Sequence, residues 1–230
     1  MDKTTSALTS LEAADSTGPA KRRGTVDAAA NGGCSSRVAR RRDRRKAEII
    51  RTATKLLSSA GYQGMSLEEV AEQTDIAKAT LYHYFASKDE LVAAALKYLA
   101  QEVLRRLAGR QEAEEGASPR ELLRALVCEQ ILILKTSPEV ATVFSWPRGW
   151  PEAFEEPLKD IRRRHDAVFR RVVEHGVSEG EFTCDDIDVA MQCLHGILNQ
   201  SPVWIRPGVR VHDREDVLNA TVDCALRLFA

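Results

Sequence analysis

The 230-residue chain is 43% hydrophobic and 29% charged, the composition of an ordinary globular protein with enough apolar surface for a sizeable core. Five scattered cysteines with no C-x-x-C pair argue against a zinc site or a disulfide framework and fit a reducing cytoplasm. No apolar run reaches the roughly 18 residues of a membrane span, and the N-terminus has no apolar stretch like a signal peptide's.

The formal net charge of -1 conceals an asymmetry, because Arg37, Arg40, Arg41, Arg42, Arg44, Arg45 and Lys46 stand together, opposed only by Asp43. Charge gathered at one end suits either a polyanionic partner for that end or a solvated tail. Residues 1–43 are rich in Ser, Thr, Ala and Gly and hold almost no large apolar side chain, so they are expected to form a disordered basic arm.

From Arg44 onward the texture is helical, with no convincing alternating strand, and the expected fold is all-α. Ile49, Ile50, Ala53, Leu56, Leu57 and Ala60 form the apolar stripe of a first helix, which Gly61 should stop. Ser66-Leu67-Glu68-Glu69 has the form of a capping box opening a short helix through Gln73, with Leu67, Val70 and Ala71 inward. A third short helix is expected from about Ala77 to Phe85. Ser87-Lys88-Asp89-Glu90, a second capping box, begins a longer helix to about Arg110.

Beyond the break at Gly116-Ala117-Ser118-Pro119, residues 119–136 are apolar almost all round, as a central buried helix would be. A Pro- and Trp-rich connection follows at 146–151. An amphipathic helix carrying Ile161, His165, Val168, Phe169 and Val172 should end near Gly176. Another helix is expected from Asp185-Asp186 to about Gln200, and after Pro207-Gly208 a last one over 213–229. The chain is expected to divide into the arm (1–43), a small three-helix unit (44–90) and a larger helical body (91–230).

Two short helices joined by a tight turn place the second at an angle suited to a major groove. That second helix offers Lys78, Thr80, Tyr82 and His83 outward, while Leu81 and Phe85 face inward against Val70 and Ile76. Lys, Thr and Tyr are partners for phosphate oxygens and base edges. The competing reading of Tyr82, His83 and Tyr84 is a packed aromatic cluster.

The stretch Arg45–Leu91 resembles the tetracycline-repressor (TetR) family of bacterial regulators. The resemblance rests on Ala60-Gly61-Tyr62, Ser66-Leu67-Glu68-Glu69-Val70-Ala71, Thr80-Leu81-Tyr82-His83-Tyr84-Phe85 and Ser87-Lys88-Asp89-Glu90-Leu91. It implies that Ser66 and Lys88 hold phosphates and that Lys78, Thr80, Tyr82 and His83 face bases or backbone. Arg44 and Arg45 join them through the basic run, which could lie along the DNA backbone or enter a minor groove. The chain departs from the family pattern at the turn, where Asp75 replaces a usual Gly, and at Ala77 and Ala79, which replace a Ser cap and a Gly. Ala77 cannot cap the recognition helix through its side chain.

The resemblance also implies a homodimer through the last two helices, a palindromic double-stranded operator, a small-molecule effector held in the body, and most commonly repression. Gly196 inside its helix points to a close approach, at the dimer seam or in internal packing. Candidate effector contacts are Gln130, Phe144, Trp146, His165, Phe169 and Trp204, with Trp150 beside them. For the polar pair, satisfied core groups are the alternative. Trp204-Ile205-Arg206-Pro207-Gly208 resembles the subgroup that senses acyl-CoA thioesters, which suggests a largely apolar, acyl-CoA-like effector. Arg162, Arg163 and Arg164 could meet CoA phosphates or form a solvated face. No cofactor, metal or catalytic residue is expected. An enzyme using His165 or His195 as acid or base is a rival reading that lacks a legible nucleophile or metal spacing. An effector-independent DNA-binding protein is the other.

Overall fold

The structure, a computed structural model, describes residues 32–141, 150–204 and 214–230. Eight α-helices occupy most of them, and no strand occurs among the described residues. They are α1 (Gly32–Gly64), α2 (Leu67–Gln73), α3 (Lys78–Tyr82), α4 (Lys88–Ala113), α5 (Pro119–Thr136), α6 (Glu155–Ser178), α7 (Ile187–Trp204) and α8 (Arg214–Leu226). The all-α expectation holds.

α1 begins at Gly32 rather than near Arg44, so the basic run is helical where a disordered arm was expected. Ala and Arg are strong helix formers, and the run extends a helix already nucleated and packed from Ile49 onward, so it bears no nucleation cost of its own. Gly61, at φ 70° and ψ -179°, kinks the chain where the stop was expected, although helical bonding resumes to Gly64. Ile49, Ala53, Leu56 and Leu57 are buried, but Ala60 is exposed.

The helix starts follow their caps. Ser66 Oγ accepts from Glu69 N at 3.1 Å and Ser87 Oγ from Glu90 N at 3.1 Å. The Glu90 carboxylate turns instead to Ala86 N at 2.6 Å, one residue outside the expected reciprocal bond. The full capping box lies at Ser118 and Glu121, where the sequence reading placed a break but did not single out the S-x-x-E signal. α3 ends at Tyr82, short of the expected Phe85, and its N-cap Ala77 makes no side-chain bond. Asp75 takes the left-handed conformation, φ 51°, that the family's usual glycine would adopt at the turn.

One continuous set of buried apolar side chains runs from Ile49 to Phe229. α4 joins the two ends of the molecule, its Leu91, Val92 and Ala95 and its later Leu99, Val103 and Leu107 all buried. α5 packs against α4, α6, α7 and α8, as expected of a central helix. Ionic bonds tie it outward: Arg106 to Glu129 at 2.7 Å and Arg124 to Asp223 at 2.6 Å.

α6 passes Gly176 and ends at Ser178, with Gly180 (φ 72°) carrying the turn. Gly176 has a packing role instead, since a Cβ there would sit 2.1 Å from the Phe182 ring.

Candidate nucleic-acid interface and buried polar cluster

α3 is held from behind. Leu81 and Phe85 are buried, as are Val70 and Met65 beside them in the core. Lys78, Thr80, Tyr82 and His83 are all exposed, with Tyr82 at 46%, so the packed-aromatic reading fails for Tyr82 and His83. Tyr84 is partly buried. Lys78 is ion-paired to Glu68 of α2, and its ammonium lies 6.0 Å from the Tyr82 ring centroid. The hydrogen bond to Glu68 raises the Lys78 pKa, and the same bond lowers that of Glu68.

The start of α1's packed portion brackets α3. Arg45 donates to Thr74 O at 3.1 Å, just before the turn, and Lys46 Nζ lies 5.4 Å from the Phe85 ring centroid. Arg44 is exposed beside them. Ser66, partly buried, spends its hydroxyl on the α2 cap.

Lys88 opens α4 and sits 4.3 Å from the Tyr62 ring centroid. Tyr62 donates its hydroxyl to Asp89 at 2.5 Å, and this bond, with burial, raises its pKa to about 12. Behind Tyr62 stand Trp150 at 5.9 Å and Phe154 at 5.7 Å between ring centroids. This junction was not legible in the sequence, because its members lie far apart along the chain.

In the body, Gln130 of α5 and His165 of α6 are buried and meet at 2.9 Å. Phe169 packs on His165 at 5.1 Å, so three of the six candidate effector contacts converge. Desolvation, reinforced by nearby His195, lowers the His165 pKa from 6.5 to about 3. His195 of α7 packs against His165 at 5.4 Å between ring centroids, tilted by 45°, and bonds Asp166 at 2.9 Å. Burial alone would raise the Asp166 pKa, but hydrogen bonds from Arg170 and His195 outweigh it and hold the group below its ordinary range. Arg170 continues to Asp188 at 2.8 Å. Of this chain of polar groups from α5 through α6 to α7, the sequence reading singled out Gln130, His165 and His195 without joining them, and missed Asp166, Arg170 and Asp188.

Trp204 does not join them. It is 42% exposed at the end of α7 and lines an apolar groove of about 340 Å³ with Ile197, Val217, Ala220 and Cys224. Phe144 and Trp146 lie outside the described residues, as does Ile205 to Gly208. Arg163 and Arg164 are exposed and both pair with Asp160, which favours the solvated-face reading. Among the described residues, no helix is long and apolar enough to cross a membrane, and no cluster of three His, Cys, Asp or Glu side chains is placed to hold a metal.

The model for bacterial regulatory proteins of the tetR family matches residues 49–95, and that for the tetracyclin repressor-like C-terminal domain matches residues 116–229. The chain belongs to the tetR family. Among curated tetR-family relatives it is 28% identical over 138 residues to the transcriptional regulator BetI of Paraburkholderia phymatum, covering 60% of this chain and 68% of that one. It is 25% identical over 183 residues to the transcriptional repressor KstR2 of Mycobacterium tuberculosis, covering 75% and 86%.

Among solved tetR-family structures it is similar to AibR in complex with isovaleryl coenzyme A and operator DNA. The TM-score is 0.68 at 22% identity over 78% of this chain and 97% of that one. A TetR/AcrR-family regulator from Thermobifida fusca gives a TM-score of 0.61 at 27% identity, over 80% and 97%. These relatives are transcriptional regulators, not enzymes, and the chain is a DNA-binding regulator of the helix-turn-helix type.

Proposed function

We propose that the protein is an effector-responsive repressor that binds a palindromic operator as a homodimer and is released by a small, largely apolar ligand of acyl-CoA type. The observation that carries the DNA side is the outward face of α3, where Lys78, Thr80, Tyr82 and His83 are exposed together while Leu81 and Phe85 anchor the helix. Lys88 and Ser66 at the flanking helix starts, with Arg44 and Arg45 of the basic run, supply phosphate contacts around that face. Residues 44–90 read DNA in this account, and 91–230 sense and pair.

The homodimer reading rests on the outer face of α7 and α8. Val189, Val203 and Trp204 of α7 are exposed, and Trp204 lines the apolar groove. Gly196 is exposed and a Cβ on it would touch nothing, so internal packing does not require glycine and the position is open to a close approach by a second copy. The effector reading draws on KstR2, a named repressor, and on AibR, whose structure holds isovaleryl coenzyme A and operator DNA. Gln130, His165 and Phe169 are the contacts proposed for it, and the cytoplasm is the compartment where such a ligand and DNA meet.

Gel-shift binding to the DNA upstream of its own gene tests the DNA side, comparing wild type with Tyr82→Ala and Lys88→Ala. Both variants should bind more weakly. Equal affinity and selectivity in both would show that the face is misassigned. A panel of acyl-CoA thioesters should raise the melting temperature by preferential binding to the folded state. No shift across the panel favours an effector-independent DNA-binding protein.

A further inference from the structure

Gly61 turns the chain at the end of α1's straight portion, and the residue thrown aside by that turn is Tyr62. Its ring has three neighbours of different origin. Lys88, the first residue of α4, holds its ammonium 4.3 Å from the ring centroid. Trp150 and Phe154, which precede α6, lie 5.9 and 5.7 Å away and meet each other edge-on at 5.6 Å. The hydroxyl donates to Asp89 at 2.5 Å.

We propose that Tyr62 is a positioning residue for DNA binding, through which Trp150 and Phe154 of the body set the Lys88–Asp89 start of α4. The proposal rests on the reading of Lys88 as a phosphate contact. The ring gives Lys88 a face to lie on that is weaker than a carboxylate, so the ammonium is guided without being neutralised and stays available to a phosphate. The hydroxyl meanwhile engages the Asp89 carboxylate, whose charge would otherwise oppose the same phosphate at close range. Both effects need the ring at one place, and Trp150 and Phe154 fix it. Phe154 is buried and leads directly into α6, the helix that carries His165 and Phe169, so a displacement of α6 reaches Lys88 through two ring contacts.

The test uses the full chain and a duplex operator fragment found by footprinting upstream of its own gene. Affinity is measured against salt concentration for wild type, Lys88→Gln, Tyr62→Leu, Tyr62→Phe and Trp150→Leu, and for each of the last three combined with Lys88→Gln, with melting temperature as a separate readout. Lys88→Gln should reduce the log-log salt slope by about 0.9, one phosphate contact. Tyr62→Leu should reduce it by a similar amount, and their double variant should lose no more than either single one.

Tyr62→Phe and Trp150→Leu should weaken binding roughly threefold to tenfold in the Lys88 protein and not in the Lys88→Gln background, the pattern of a shared contact. These two variants decide the matter if Tyr62→Leu fails to fold. A lowered melting temperature with wild-type slope and affinity would overturn the proposal, as would strict additivity with Lys88→Gln. If Lys88→Gln binds like wild type while Tyr82→Ala does not, the DNA-binding reading stands and this inference falls. Failure of wild type to bind any upstream fragment removes both.

Discussion

His165 Nε2 lies 2.9 Å from Gln130 Oε1, an imidazole of α6 and a carboxamide of α5 that satisfy each other inside the body. With the carboxamide oxygen as acceptor, Nε2 carries the proton and donates it, and burial keeps the ring neutral, its pKa lowered to about 3. An unfolded chain takes up a proton there near pH 6.5, whereas the folded one does not. Stability is therefore complete above about pH 6.5 and falls as pH drops toward 3, by up to about 1.4 kcal/mol per pH unit. Chemical denaturation between about pH 7 and about pH 5.5 should show a steeper loss in wild type than in His165→Gln. Equal slopes would contradict the buried neutral assignment. Gln130→Leu removes the partner and should cost about 1–3 kcal/mol at neutral pH.

If Lys78 sits on a phosphate as proposed, Glu68 competes with DNA for it. The pair is exposed, so it adds little to stability, but a phosphate must draw Lys78 away from a carboxylate that also repels the phosphate. Glu68→Gln should tighten operator binding several-fold, roughly the scale of one contact at low salt, with the melting temperature nearly unchanged. Weaker binding in a filter or gel-shift assay would mean that Glu68 holds Lys78 in its working position.

Two glycines should respond oppositely to the same substitution. Gly176→Ala places a methyl 2.1 Å from the Phe182 ring, so it should destabilise the chain by about 1–3 kcal/mol in urea denaturation. Gly196→Ala meets nothing in the single chain and replaces a poor helix former, so it should leave the folded monomer stable or raise stability by up to about 1 kcal/mol. In sedimentation, Gly196→Leu should shift dimer toward monomer. An unchanged dimer would place the seam elsewhere.

The basic extension of α1 keeps Arg41, Arg42 and Arg44 exposed beyond the bracket formed by Arg45 and Lys46. If these side chains sit on phosphates, replacing all three with Gln should lower the log-log salt slope by about 2.7, at 0.9 per contact. A slope within error of wild type would identify the run as a solvated helix.

What the sequence determined by itself is the local grammar. Ser66, Ser87 and Ser118 start helices because a hydroxyl reaches a backbone N–H three residues on, and Gly61 turns the chain because it tolerates positive φ. The exposed side of α3 was legible for the same reason, since burying Leu81 and Phe85 fixes by helical period which neighbours remain outside. Even the missing cap at Ala77 could be read, and α3 is short.

Only the tertiary structure decided the rest. His195 and Asp166 are 29 residues apart, Gln130 and His165 are 35 apart, and Tyr62 meets Trp150 from 88 residues away along the chain. No periodicity encodes such meetings, because they depend on how α5, α6 and α7 cross. Trp204 shows the converse: an apolar residue assigned to an interior site lies at the outer groove, because its helix carries it about 13 Å along the axis from His195 at 1.5 Å per residue.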